Sequence, residues 1–197
     1  TTPGTDKNPP LSAEGEKAFY DAIRKGKGFI GVHCAADTFG HHGARNKGAD
    51  DAYIQMIGGE FVSHGPQQVA TMGVVDPKFP GMPGGFGKSS SFQINDEWYA
   101  LKNHPDDLHV ILVQKTEGMK SGPRNEYDRP DYPATWARKF GDGRVFYTSM
   151  GHREDVWTNP NYQSLILGAL AWSNGLADAD LTPNIKEVTP DYQKLTR

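Results

Sequence analysis

The chain has 197 residues, a formal net charge of -3 and a pI of about 6.1. This length suits one domain with a substantial core. The charge gives no electrostatic reason to expect nucleic acid or an anionic membrane as a partner, and the apolar runs are too short to span a bilayer. The single cysteine excludes an internal disulfide.

Helix and strand signals alternate along the chain. A helix is expected to begin after the N-cap residue Ser12 and to end near Lys25, and a buried strand follows over residues 29–33. Asp142-Gly143 predicts a hairpin turn between two apolar runs. The other predicted elements are helices at residues 50–57 and 161–172, strands at residues 69–75, 110–113, 134–140 and 144–149, and a short unassigned segment at residues 91–94. This order predicts an α/β fold with mixed strands.

Both ends of the chain give expectations about domain organisation. The helix after Ser12 has no strand before it, although a helix that leads into a parallel strand usually crosses over from another strand. We therefore expect further N-terminal strands beside residues 29–33, and we expect the isolated chain to be marginally stable and prone to aggregate. Residues 1–176 would form the α/β domain, and the polar, proline-punctuated residues 177–197 would form a tail on its surface.

The most informative stretch is residues 28–39, an apolar run that ends on polar side chains. His33, Cys34 and Asp37 follow the predicted strand directly. Ligands bind outside the carboxyl ends of the strands in open α/β sheets. These side chains are therefore expected at the functional edge of the sheet.

Two further glycine-flanked clusters carry histidine and charged side chains. Residues 58–65 include Glu60 and His64, and residues 149–155 include His152. The predicted catalytic set, which should converge in one pocket as acid–base groups, is His33, Asp37, His64 and His152. His33, His64 and His152 would alternatively bind a divalent metal such as zinc. Their spacing is not a compact metal-binding signature, so both chemistries stay open.

Each candidate also has a structural interpretation. Asp37 can cap a turn, His64 can bond to backbone, and Cys34 can be a small buried apolar side chain rather than a nucleophile. Solvent-facing positions are expected for His41, His42, His104 and His109.

An acidic–aromatic cluster at residues 96–99 is the candidate sugar-binding surface. Aromatic rings can stack on the C–H faces of a sugar while carboxylates bind its hydroxyl groups, but the same residues also fit a half-buried strand with Trp98 in the core. Trp157 places another aromatic ring after His152. The predicted substrate-binding residues are Glu60, Glu97, Trp98, Arg153 and Trp157.

These motifs, in this order, resemble the ThuA-like (trehalose utilisation) domain family. The resemblance rests on residues 28–39, 53–65, 96–99 and 141–157, with residues 180–184 also similar to bacterial members. It implies a flavodoxin-like, class I glutamine amidotransferase-like three-layer sandwich, truncated here at its N-terminus. It also implies a role in carbohydrate catabolism, on a glycoside or keto-sugar.

The resemblance leaves other functions open. The amidotransferase relatives carry a nucleophilic cysteine in a Gly-x-Cys-x-Gly elbow, but here His33 stands at that place and no glycine follows Cys34. A cysteine hydrolase acting through Cys34 is therefore disfavoured. A noncatalytic carbohydrate-binding or interaction domain is the main alternative to an enzyme. The expected partner is a small carbohydrate, and the oligomeric state and the compartment (cytoplasm, periplasm or exterior of a bacterium) are not determined.

Overall fold

A mixed six-stranded sheet forms the centre of the structure, a computed structural model that describes residues 11–38 and 48–195. The strand order is β1-β8-β7-β6-β3-β4, and a separate two-stranded sheet pairs β2 with β5. The strands are β1 (Gly28–Val32), β2 (Glu60–His64), β3 (Gln68–Val74), β4 (Ser91–Asp96), β5 (Tyr99–Lys102), β6 (His109–Gln114), β7 (Tyr132–Phe140) and β8 (Gly143–Thr148). The helices are α1 (Ala13–Arg24), α2 (Ala52–Ile57), α3 (Glu154–Trp157), α4 (Pro160–Ser173) and α5 (Ile185–Val188). His41 and His42 lie outside the described residues.

The capping signals in the sequence place the two long helices. The hydroxyl of Ser12 accepts a hydrogen bond from the backbone N–H of Gly15 at the start of α1. Asn159 caps α4 in the same way, with Pro160 in the first turn, where proline needs no N–H partner. Both predicted helices are confirmed to within a residue or two of their expected bounds.

Apolar side chains on both faces of the sheet explain why helices cover it on both sides. Along β8, Val145 and Tyr147 face a core shared with α1 and α2, whereas Phe146 faces a second core shared with α4. Successive side chains of a strand point to opposite faces. The predicted hairpin is confirmed, since β7 and β8 pair antiparallel up to the contact of Phe140 with Gly143. Only β1 and β8 pair in parallel in the described sheet.

The C-terminal segment, which is expected to lie on the surface, is anchored to the core at a few positions. Both side-chain groups of the Asn184 amide bond to the backbone of Val110 in β6, at 2.7 and 3.1 Å. Ile185 and Tyr192 are buried in the core. Most of residues 177–195 are exposed, but apolar side chains anchor this segment to the core at the points of contact.

Further N-terminal strands are expected beside residues 29–33, so the position of β1 in the sheet is relevant. Strand β1 lies at one edge of the six-stranded sheet and pairs with β8. Further N-terminal strands beside β1 stay a prediction. Within residues 11–38 and 48–195, no helix combines the length and the apolar character that crossing a bilayer requires.

Candidate active site

The carboxylate of Glu97 lies at the meeting point of three imidazole rings. Its Oε2 atom is 3.2 Å from Nε2 of His33. Its Oε1 atom is 3.4 Å from Nδ1 of His64 and 3.8 Å from Nε2 of His152. The predicted histidines thus come together around a carboxylate that the sequence had suggested only as a sugar-binding group.

His33 reaches this centre from a sharp turn at the end of β1. It begins a short 3-10 helix, His33–Asp37, and has a φ of 44°, which is uncommon for a residue other than glycine. Its buried ring bonds through Nδ1 to the carbonyl oxygen of Ser149 at 2.9 Å. Because a carbonyl only accepts, Nδ1 carries a proton, and Nε2 faces Glu97. In the neutral ring Nε2 then has a lone pair, which cannot donate to the Glu97 carboxylate. The contact becomes favourable when Nε2 also carries a proton or binds a cation.

His64 enters from the end of β2. The short antiparallel pairing of β2 with β5 places His64 opposite Tyr99. Nδ1 of His64 lies 3.0 Å from the carbonyl oxygen of Gly65 and therefore carries a proton. The neutral ring then has its lone pair on Nε2, and the side chain is 45% exposed. His64 thus presents an available base to the solvent side of the site.

His152 follows β8 in a loop that Asp96 holds in place. The fully buried carboxylate of Asp96 accepts hydrogen bonds from the backbone N–H groups of Gly151 at 2.7 Å and Arg153 at 3.0 Å. Gly151 has a φ of 112°, and an added Cβ would lie 2.4 Å from the Tyr162 hydroxyl. Asp96 is adjacent to Glu97 in the chain, and its carboxylate binds the backbone on both sides of His152. Asp96 therefore holds His152 next to Glu97.

The charge on Glu97 is stabilised by its neighbours. Partial burial raises the pKa of the Glu97 carboxyl, but the hydrogen bond with His33 and the positive charges available on His64, His152 and His33 outweigh it, so the pKa lies below its ordinary value. Glu97 is therefore a carboxylate at neutral pH.

Tyr99 forms an aromatic wall of the site. Its ring centroid lies 4.0 Å from that of His33 and 6.1 Å from that of His64. Burial, together with the charges of Glu97 and Asp37, raises the pKa of the Tyr99 hydroxyl, so this group stays protonated. Asp37 is half-buried at the end of the 3-10 helix, close enough for its charge to act on Tyr99.

The other predicted substrate-binding residues lie in different surroundings. Arg153 forms a two-point ion pair with Asp155 and also bonds to Gln67. Trp157 is 45% exposed, and its indole N–H donates to the carbonyl of Gly151. Both residues are therefore close to the His152 loop.

Two of the predicted substrate-binding residues, Trp98 and Glu60, are buried. Trp98 is fully buried and donates to the carbonyl of Gln68, so the prediction that its ring stacks on a sugar is wrong. Glu60 is buried at the far end of β2 from His64, where it accepts from Asn103 at 2.5 Å and lies 3.7 Å from the Lys102 ammonium. It acts there as a partner of β5, not as a neighbour of Glu97.

Three side chains have the mutual distances of a metal site. The nearest donor atoms of His33, Glu97 and His152 lie within 4.8 Å of one another. Nitrogen and oxygen ligands about 2.1 Å from a tetrahedral zinc ion would be about 3.4 Å apart, close to the 3.2 Å between Nε2 of His33 and Oε2 of Glu97. Glu97 takes the place of His64 in this set, compared with the ligands predicted from the sequence.

Comparison with known proteins agrees with the resemblance in the sequence. The profile of the ThuA family, described as trehalose utilisation, matches residues 3–173. This chain belongs to the ThuA family. A search of curated proteins found no match.

Solved structures show the same fold for this ThuA-family chain. A ThuA-like protein from Bacteroides uniformis has a TM-score of 0.61 and 21% identity, with 83% of this chain and 65% of that one covered. One from Parabacteroides merdae has a TM-score of 0.61 and 16% identity, with 95% and 76% covered. A β-galactosidase from Bacillus circulans sp. alkalophilus has a TM-score of 0.54 and 12% identity, with 88% and 22% covered. The chain thus spans about two thirds of the first of these proteins.

Sequence reasoning missed several contributors to the site of this ThuA-family chain. The Ser149 carbonyl orients His33, and Gln67 contacts His152 at 3.2 Å. A backbone carbonyl gives no residue-type signal, and Gln67 lies in a polar stretch without a recognisable pattern. The adjacency of Asp96 and Glu97 was visible, but their separate roles depend on which backbone groups each carboxylate meets.

Proposed function

We propose that the chain is an enzyme of carbohydrate catabolism that acts on a glycoside or a keto-sugar by acid–base chemistry. The observation that carries the proposal is the convergence of His33, His64 and His152 on the Glu97 carboxylate. Conversions of this kind move protons on and off sugar oxygens or the carbon beside a carbonyl. Imidazole rings beside a carboxylate, set at the edge of a sheet, suit this task.

The arrangement supplies separate proton-transfer groups. His64 offers an Nε2 lone pair as a base, because its Nδ1 proton is held by the Gly65 carbonyl. Glu97 stabilises the imidazolium that forms when a ring takes up a proton. The half-exposed rings of His64 and His152 are open to a substrate, whereas the buried ring of His33 fixes the carboxylate between them.

A noncatalytic carbohydrate-binding domain has less support. Stacking of a sugar on Trp98 would need an exposed ring face, and Trp98 is buried. A binding domain also has no need of three histidines around one carboxylate. The cysteine-hydrolase alternative is weaker still, because Cys34 packs against the apolar core.

A metal-assisted form of the same enzyme is the second candidate. The spacing of His33, Glu97 and His152 favours a divalent ion such as zinc, which would polarise a carbonyl or activate water there. Metal analysis of the purified protein, followed by zinc titration after chelation, tests this form. Stoichiometric zinc lost in Glu97→Gln supports it, and the absence of zinc binding by the wild type contradicts it.

The proposal also includes the detailed type of α/β fold. Helices on both faces of the sheet and a functional edge after β1 favour a flavodoxin-like, glutamine amidotransferase-like three-layer sandwich. The strained turn at His33 then stands where those relatives place their nucleophile, and a histidine replaces the cysteine.

A turnover screen on disaccharides and their 3-keto forms tests the function. We expect the wild type to convert at least one of them, and His152→Ala to lower turnover by about 10²–10⁴-fold with sugar affinity retained. Leu167→Ala, at an exposed position of α4, is the control and should leave turnover unchanged. Sugar binding without turnover by the wild type would favour the binding-domain alternative instead.

A further inference from the structure

A glutamine outside the histidine cluster contacts His152 from behind. The side-chain amide nitrogen of Gln67 lies 3.2 Å from Nδ1 of His152. The amide oxygen of the same Gln67 lies 2.9 Å from Nη1 of Arg153. Gln67 stands in the connection between β2 and β3, directly after Pro66, whose ring restricts the backbone there.

Arginine determines which way the amide of Gln67 points. A guanidinium group has only N–H donors, so the Gln67 atom that faces it must be the oxygen. The NH₂ group of Gln67 then necessarily faces His152. Arg153 is itself held by Asp155, whose two carboxylate oxygens lie 2.9 and 3.0 Å from the guanidinium nitrogens. The orientation of the amide therefore follows from a chain of charged contacts.

The orientation of this amide determines the position of the proton on His152. An NH₂ group can only donate, so Nδ1 of His152 must accept and carry no proton. The neutral ring consequently carries its proton on Nε2, the nitrogen that lies 3.8 Å from Glu97. His33 and His64 have the opposite arrangement, because their Nδ1 atoms donate to carbonyl oxygens.

We propose that Gln67 is a positioning residue that holds neutral His152 in its Nε2–H form, so that His152 presents a proton donor to the site. The inference rests on the proposed acid–base function for its catalytic meaning. His64, with its lone pair on Nε2, is the complementary proton acceptor. A metal ligand at Nε2 would need a lone pair there, so Gln67 favours the acid–base form of the enzyme over a metal site that includes His152.

The test reverses the hydrogen-bonding character of residue 67. In Gln67→Glu, a carboxylate faces Nδ1 of His152 and only accepts, so the proton must move from Nε2 to Nδ1. The exposed Gln93 on β4 provides a matched control, because Gln93→Glu adds the same charge away from His152. Long-range proton–nitrogen NMR correlations on ¹⁵N-labelled protein, recorded at a pH where imidazoles are neutral, identify the protonated nitrogen. His152→Gln assigns the signals.

The expected result is a proton on Nε2 of His152 in the wild type and in Gln93→Glu, and on Nδ1 in Gln67→Glu. A wild-type proton on Nδ1, or the same nitrogen protonated in Gln67→Glu as in the wild type, would overturn the proposal. With a substrate in hand, Gln67→Glu should lower kcat by about tenfold or more while KM stays within about twofold. The NMR experiment needs no substrate. If the proposed sugar-processing function fails, the NMR result still tests the role of Gln67, so the two failures can be distinguished.

Discussion

Two histidine–carboxylate pairs in this chain have almost the same local geometry. At the end of β1, His33 bonds to the Ser149 carbonyl at 2.9 Å and to Glu97 at 3.2 Å. At the start of β6, His109 bonds to the Thr182 carbonyl at 2.9 Å and to Asp76 at 3.0 Å. Both rings are buried. A histidine bonded to a carboxylate is therefore not by itself a sign of function.

The surroundings of the two carboxylates make the difference. Asp76 also accepts from the backbone N–H groups of Lys78 and Phe79, so it holds the turn after β3 together. Glu97 instead meets the rings of His64 and His152, both of them open to solvent. The His109–Asp76 pair thus joins chain segments, whereas the His33–Glu97 pair supports groups that can exchange protons with a ligand.

The largest expected effect is the difference in turnover between His33→Asn and His109→Asn. Asparagine retains an N–H donor near the Nδ1 position and tolerates positive φ, but it lacks Nε2. We expect His33→Asn to lower sugar turnover by about 10²–10⁴-fold. We expect His109→Asn to leave kcat within about twofold and to lower the free energy of unfolding by about 1–3 kcal/mol. Steady-state kinetics and urea unfolding of both variants measure these effects; equal losses of turnover would contradict the assignment.

His104 shows what burial does to a histidine without the support of a carboxylate. It was expected to face solvent, but it is buried against Trp136 and donates through Nδ1 to the Gly58 carbonyl. Burial lowers the pKa of His104 to about 4 from 6.5, although the bond to Gly58 acts in the other direction. As the pH falls, His104 is therefore protonated in the unfolded chain before it is protonated in the folded chain.

The stability that neutral His104 contributes is thus present above about pH 6.5 and is lost towards pH 4. The loss should amount to about 3 kcal/mol. In His104→Asn this part of the pH dependence should disappear, whatever the variant's stability at neutral pH. Urea unfolding of both proteins over this pH range provides the measurement, and parallel stability curves would show that His104 does not titrate in this way.

The His109–Asp76 pair should depend on pH in a different manner. Burial lowers the pKa of His109, but the bond with Asp76 outweighs it and leaves the pKa raised; burial raises the pKa of Asp76, but the bonds with His109 and the turn leave it lowered. The pair therefore stabilises the fold above the ordinary pKa of aspartate and below that of histidine.

We expect Asp76→Asn to cost about 2 kcal/mol between about pH 4 and pH 6.5, and less as the pH rises through the pKa of folded His109. Unfolding of both proteins by urea at acid and alkaline pH measures this difference. A cost that is independent of pH would exclude the charged pair as its source.

The smallest expected effect concerns the open side of the Glu97 site. Trp157 is the exposed aromatic ring next to the His152 loop, and its ring packs edge-on against Tyr162. If it contacts the sugar, Trp157→Ala should raise KM by about tenfold with little change in kcat. Leu176→Ala, at an exposed apolar residue after α4, is the control. An unchanged KM in Trp157→Ala would remove this residue from the binding surface.

The sequence predicted the main elements because their signals are local. The caps at Ser12 and Asn159, the Asp142-Gly143 turn and the apolar strands each depend on neighbours a few residues away. The pairing of β2 with β5 was not predicted, because residues 58–65 mix glycine with polar side chains and this short pairing is supported by tertiary contacts. Tyr127, for example, donates to the Trp98 carbonyl and accepts from Gly65.

The histidines of the site were visible in the sequence, but the role of Glu97 at their centre was not. Its position depends on where β4 ends and on the loop that Asp96 clamps, neither of which residue types reveal. His109 was expected in solvent because its neighbours are polar, yet Asp76 and the Thr182 carbonyl satisfy its buried ring. Long-range partners of this kind are set by tertiary packing.

The most direct test compares the two carboxylates in one experiment. Glu97→Gln and Asp76→Asn each remove one charge and keep the shape of the side chain, and both are assayed beside the wild type for turnover of disaccharides and their 3-keto forms. We predict that Glu97→Gln loses turnover by about 10²-fold or more while Asp76→Asn retains it per folded molecule. Full turnover by folded Glu97→Gln, on a substrate that the wild type converts, would contradict the proposal that the Glu97 centre is the active site.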